Sequence, residues 1–317
     1  MSGTCRICDE PAVTTLGPYA FCARHAERAT HGRRGGWHAD VASLVVLIAF
    51  VVVVFALDST LATPLEGAAL TAAGLVLAIV PALVWLAFFY RRDRLEPEPK
   101  AMVAGIAVLG FLVATGIAIP LVDEAFDVDS WLLASPLVQL AGGILVVGIV
   151  QEGLKYLTVR WAVYGSREFD EPTDGIIYGT AVGLGFATAL NVAFVVGSGG
   201  VDLGTGTIRI VLMSLAHASF GGVMGYFLGR QKFERRPIWW MPAGVGVAAT
   251  LNGVFLYLRS TLGRDAIQGP LTEVAPWIGL ALAAALAAAV TIILSTLIRR
   301  HLARVAPADP GTAEPAS

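Results

Sequence analysis

A polar run interrupts apolar sequence at Gln151-Glu152-Gly153-Leu154-Lys155, directly after the apolar stretch 137–150 and with no turn signal between them. A carboxylate in such a place lies at or inside a bilayer, where ionisable groups are costly and mark function by default. Three more polar residues stand inside apolar stretches further on: Asn191, His217 and Asn252. Their types suit acyl chemistry. Glu152 in a low-dielectric setting can act as a general base. A neutral His217 can bind a metal ion or hold a water. The side-chain amide of Asn252 can stabilise a developing oxyanion. Lys155, three residues after Glu152, falls on nearly the same helical face, where it can tune the carboxylate or reach the lipid headgroups. Taken singly, Asn191 and Asn252 read better as interhelical hydrogen bonds.

The elements that must position these residues follow from composition. Of 317 residues, 56% are apolar and 15% charged, against about 25% charged in an ordinary soluble domain. This is the composition of an integral membrane protein. Eight stretches approach the roughly 20 residues a spanning helix needs: 40–57, 66–90, 101–122, 131–160, 174–197, 207–229, 238–258 and 272–298. None alternates strictly, which excludes a β-barrel. The expected fold is all-α and polytopic, with about eight spans over residues 39–300 and a tail, 301–317, too rich in Pro, Ala and Asp to order. All but three (Arg209, Arg259 and Arg264) of the 22 Lys and Arg fall on one side of an eight-span arrangement. That asymmetry puts both termini in the cytoplasm of a multi-pass protein of the cell membrane. The first 38 residues are polar, so the first span is expected to be an uncleaved anchor. The net charge of −2 and the lack of a long basic run give nucleic acid no foothold.

Depth then groups the polar residues. At ~1.5 Å per residue from the cytoplasmic helix ends, Glu152 and His217 lie ~18 Å in, Asn252 ~21 Å and Asn191 ~25 Å. The first three can share one layer, and Asn191 is the outlier.

A second constellation precedes the first span. Cys5-x2-Cys8 is followed, 13 residues later, by Cys22-x2-His25, and these are all three of the cysteines in the chain. An odd number of thiols on the cytoplasmic side argues against disulfides. Three thiolates and an imidazole suit tetrahedral zinc, and residues 1–38 are too few to form a core without it. With all four positions filled by protein, such a zinc is structural, in a small ribbon-like segment.

The membrane motifs resemble those of the PrsW family of intramembrane proteases, which is related to the CAAX-prenyl endopeptidases and the bacteriocin-processing membrane proteases. The resemblance is carried, in order, by Asp93-Arg94-Leu95-Glu96-Pro97-Glu98-Pro99, Glu152-x2-Lys155, Asp174-Gly175-Ile176-Ile177-Tyr178-Gly179, Gly183-Leu184-Gly185-Phe186-Ala187, Arg209…His217-x3-Gly221 and Asn252. It implies a helical, metal-dependent endopeptidase acting on membrane-embedded or membrane-anchored proteins. It also implies Glu152 as general base or metal ligand, His217 as its partner and Asn252 as the oxyanion-stabilising residue. The chain departs from the family pattern in having Gln151 for the first Glu of a Glu-Glu pair, Leu190 for an acidic residue or His, and Ala248 for a His. These departures leave two readings: a metal-free hydrolase, or a non-catalytic binding or regulatory protein on the same scaffold.

Overall fold

The computed structural model describes residues 4–5, 8, 10–16, 19–31, 65–90, 98–201, 203 and 205–264, with scattered positions in 45–60 and 281–297. Strands β1 (Thr14–Leu16) and β2 (Tyr19–Phe21) pair antiparallel with Thr14 opposite Phe21, and helix α1 (Ala23–His31) comes at once after them. Among the described residues six longer helices succeed it: α2 (Gly67–Tyr90), α3 (Lys100–Ala125), α4 (Pro136–Ala162), α5 (Pro172–Gly197), α6 (Thr205–Phe233) and α7 (Trp240–Arg264). All six are long and apolar enough to cross a membrane. In lipid every backbone polar group must find its partner within the protein, which these apolar runs achieve by becoming helices.

They correspond to six of the eight expected spans. The other two, 40–57 and 272–298, lie largely outside the described residues, so a count of eight is not established. Their described positions are helical. Val54 belongs to a cluster with Leu77 and Val195, and Val290 and Leu294 pack with Ile176. The expected tail 301–317 and the motif residues 93–97 also lie outside the described residues.

The interior pair is α5 and α6, which are buried along most of their lengths. Small residues let two membrane helices approach backbone to backbone. Gly175, Gly179 and Gly183 on α5 face Gly225, Gly221 and the His217 backbone on α6. A Cβ added at Gly183 would sit 2.1 Å from the His217 carbonyl oxygen. The α4–α7 crossing is equally close: a Cβ at Gly148 would lie 2.5 Å from the Ala249 carbonyl oxygen. That crossing is one turn from Gln151 on α4 and from Asn252 on α7.

Local signals fix the phase and start of these helices. In α4, the stretch Gly143–Gly148 is π-helical. The extra residue in such a turn rotates the face presented by the next turns of the helix, and those turns carry Gln151 and Glu152. Helix α5 begins at Pro172 with a reciprocal cap in which Asp174 Oδ2 accepts from the backbone N–H of Glu171 (2.6 Å) and Asp170 (2.8 Å). Asp174 stands at the third helical position of α5. Lys232, at the end of α6, donates to the Tyr164 carbonyl at 2.6 Å and to that of Phe169, pinning the α4–α5 connection to α6.

Candidate active site between α4, α6 and α7

Three helices contribute to one buried polar cluster. Helix α4 supplies Gln151, Glu152 and Lys155, α6 supplies His217 and α7 supplies Asn252. Glu152 and Lys155 are fully buried, and the other three nearly so. Lys155 Nζ donates to Glu152 Oε1 at 2.7 Å and stands 2.9 Å from His217 Nδ1. Asn252 Nδ2 donates to Glu152 Oε1 and to Gln151 Oε1, each at 2.9 Å. The Phe186 ring, from α5, closes one side with its centroid 5.2 Å from Lys155 Nζ. The His217 ring packs against Phe220 at 5.9 Å between centroids.

The polar contacts are distributed unevenly over the Glu152 carboxylate. Oε1 accepts two hydrogen bonds, whereas Oε2 is buried with no partner among the described residues. One oxygen is held and the other is free to take a proton. The amide of Asn252 has both its hydrogens committed to Gln151 and Glu152, so in this arrangement it orients the carboxylate. An ammonium has only donors, so the Lys155–His217 contact makes Nδ1 the acceptor. A neutral imidazole whose Nδ1 accepts carries its proton on Nε2.

The same contacts test the cluster as a metal centre. A catalytic zinc takes three protein ligands and an open position. Here the donors are one carboxylate oxygen and one imidazole whose Nδ1 faces an ammonium, with neutral amides as neighbours. Among the described residues, no group of three His, Cys, Asp or Glu able to hold a metal forms at this site. The expectation that Glu152 and His217 would share a metal finds no donor set to support it.

Glu152, His217 and Asn252 do share one layer, and Lys155 joins them. Asn191 is elsewhere: its Nδ2 donates to the Ile210 carbonyl at 3.2 Å and to Ser214 Oγ at 3.4 Å, tying α5 to α6. One member of the cluster and one ring that lines it were not among the residues expected from sequence. Gln151 counted there only as a departure from a motif, although Asn252 needs a second acceptor beside Glu152. Phe186 was only a motif position, and nothing in its spacing predicts that it faces Lys155.

At the other end of the chain, Cys5, Cys8, Cys22 and His25 converge, their ligand atoms all within 4.8 Å of one another. A tetrahedron around zinc, with Zn–S about 2.3 Å and Zn–N about 2.0–2.1 Å, requires S···S near ~3.8 Å and S···N near ~3.6 Å. Cys8 and Cys22 Sγ are 3.8 Å apart, and His25 Nδ1 lies 3.5, 3.4 and 3.3 Å from the Sγ atoms of Cys5, Cys8 and Cys22. The hairpin delivers Cys22 directly after β2, and His25 stands in the first turn of α1. The four residues fit a tetrahedral metal.

The profile of the PrsW family of intramembrane metalloproteases matches residues 98–272. The chain is 31% identical to Protease PrsW of Geobacillus kaustophilus over 202 residues, which is 63% of this chain and 85% of that protein. It is 28% identical to Protease PrsW of Bacillus subtilis, over 59% of this chain and 82% of that one. With Protease PrsW of Clostridioides difficile it shares 31% identity over 61% and 81% of the two chains. No solved structure gives a significant match. The matched region contains every member of the buried cluster and none of the cysteines. On its sequence, its helices and its relatives, this chain belongs to the PrsW family.

Proposed function

We propose that this chain hydrolyses peptide bonds of membrane-embedded or membrane-anchored proteins, with Glu152 activating the attacking water and His217 assisting. The observation that carries the reading is the Glu152 carboxylate, fully buried, anchored through Oε1 and unpartnered at Oε2 among the described residues. Family membership supports it, since the relatives are named as proteases. Oε2 takes a proton from water as the water oxygen adds to the scissile carbonyl carbon, and the carbonyl electron pair moves onto its oxygen. When that pair returns, the C–N bond breaks and the proton held on Oε2 passes to the departing amine. Asn252 and Lys155 keep the carboxylate in place, with Gln151 accepting the second hydrogen of Asn252, and proton transfer by a group so positioned is worth about 10²–10⁴ in rate. Asn191, with its amide committed to α6, belongs to the scaffold.

The family description carries a metal, and the residues of the membrane cluster do not suit one. The donor set that does is at the N-terminus, where Cys5, Cys8, Cys22 and His25 hold a structural zinc that ties the hairpin to α1. The charge asymmetry of the loops supports a cytoplasmic location for this segment and for the C-terminus.

The test compares new protein termini in membranes of cells expressing the wild type, Glu152→Gln or His217→Ala. Termini within or beside spanning segments that accumulate only with the wild type support the reading. The same termini at the same levels with Glu152→Gln overturn it in favour of a scaffold that binds without cutting.

A further inference from the structure

The geometry points to Lys155 as the resident cation of the membrane site, standing where a catalytic metal would otherwise stand and fixing His217 as an Nε2–H donor. This rests on the proposed hydrolytic function and adds to it how the site works without a metal.

Three contacts carry it. The ammonium lies between the carboxylate of Glu152 and the imidazole of His217, at 2.7 and 2.9 Å, within reach of both groups that a divalent ion would need. A buried charge persists only when paired and hydrogen-bonded, and Lys155 has a carboxylate, an imidazole nitrogen and the Phe186 ring around it. The imidazole presents no free lone pair: Nδ1 accepts from the ammonium, and Nε2 bears the ring proton. A metal could enter only by displacing the lysine.

The consequence for the reaction is a division of labour. Glu152 Oε2 takes the proton of the attacking water. The electron pair displaced from the carbonyl gathers on its oxygen, and the His217 Nε2–H is a donor the cluster can offer it, whereas both amide hydrogens of Asn252 are committed to Gln151 and Glu152. The site consumes one water per bond and needs no other reactant. Lys155 touches neither water nor carbonyl and is a positioning residue: it sets which oxygen of Glu152 is free and which nitrogen of His217 carries hydrogen.

Two measurements on the full-length protein test this without reference to turnover. In the first, metal content is measured on the purified wild type, on Cys5→Ser/Cys22→Ser and on His217→Ala, each after incubation with Zn²⁺ and removal of free ion. Zinc lost with the cysteine substitutions and retained with His217→Ala is the expected result. Zinc that survives the cysteine substitutions and is lost with His217→Ala overturns the inference. In the second, ¹⁵N NMR of histidine-labelled protein, with His217 assigned by difference against His217→Gln, reads the ring directly. The expected signature is an unprotonated Nδ1 and a protonated Nε2, which Lys155→Met abolishes while Lys155→Arg restores it in part. A protonated Nδ1 in the wild type overturns the inference. Neither readout depends on cleavage, so a protein with this tautomer and no membrane-site zinc that cuts nothing refutes the hydrolytic reading alone.

Discussion

Lys155 and His217, 62 positions apart in sequence and on different helices, meet at 2.9 Å in the interior of the helical bundle. The same ammonium holds Glu152 at 2.7 Å. Through this contact Glu152, Lys155 and His217 form one buried unit. It also makes the cluster hard to dismantle in part. Removing one member of a buried ion pair costs about 3–5 kcal/mol, because the other charge is left uncompensated, whereas replacing both by apolar residues is often near neutral. Lys155→Met therefore lowers the unfolding midpoint in detergent strongly, and Glu152→Leu/Lys155→Met recovers most of the loss. Thermal unfolding of the two variants against the wild type checks this. A double variant as unstable as the single would show that the pair is not the unit described.

The two asparagines are expected to separate cleanly. Asn252 orients the Glu152 carboxylate, so Asn252→Ala lowers cleavage by one to two orders of magnitude in protein that remains folded. Asn191 joins α5 to α6, so Asn191→Ala costs roughly 1 kcal/mol and leaves turnover per folded molecule unchanged. Cleavage rates normalised to folded protein, read beside unfolding midpoints, make the comparison.

Gly183 is expected to be nearly as sensitive as the site itself. A methyl there would press on the His217 carbonyl at 2.1 Å, and the neighbour is backbone, which cannot rotate away. Gly183→Ala must push α6 from α5 and carry His217 with it. Overpacking of this kind costs typically about 1–3 kcal/mol, and cleavage is expected to fall further than stability alone explains. Gly153→Ala, on the same helix as Glu152 but with open space at its Cβ position, is the matched control and leaves both unchanged.

The N-terminal segment should respond to metal and the helices should not. A strong chelator removes one zinc per chain and unfolds the hairpin and α1, since metal supplies the folding energy of so small a unit. Because the ligands must lose protons to bind, zinc retention weakens as pH falls. Circular dichroism in the helical region is expected to change little, while limited proteolysis near residue 31 accelerates on chelation. Proteolysis that is indifferent to chelator would contradict a zinc fold here.

Much of this was legible in the sequence, and the reasons are specific. The six described spans follow from apolar length alone, because the bilayer leaves a helical run few alternatives. The layer shared by Glu152, His217 and Asn252 follows from counting rise along each helix, and the same count set Asn191 apart. Cys5, Cys8, Cys22 and His25 were legible because metal chemistry fixes both residue type and spacing. Rotation about the helix axes was not legible. The π-helical stretch Gly143–Gly148 resets the phase of α4 in a way that no residue in it announces. Whether Lys155 turns inward to His217 or outward to headgroups depends on that phase. The commitment of both Asn252 hydrogens to Gln151 and Glu152 depends on how α4 and α7 cross. That crossing is set by backbone contact between Gly148 and Ala249, far apart in the chain.

The most direct test of the central claim is cleavage by the purified chain. The protein is reconstituted into liposomes with a membrane-protein substrate identified from the termini that depend on Glu152. The account predicts that the wild type cuts a bond in or beside the spanning segment. It predicts that Glu152→Gln, in which Oε1 still accepts from Lys155 and Asn252 but the base is gone, cuts at least about 100-fold more slowly. Equal rates from the two proteins, with the fold of both intact, would contradict it.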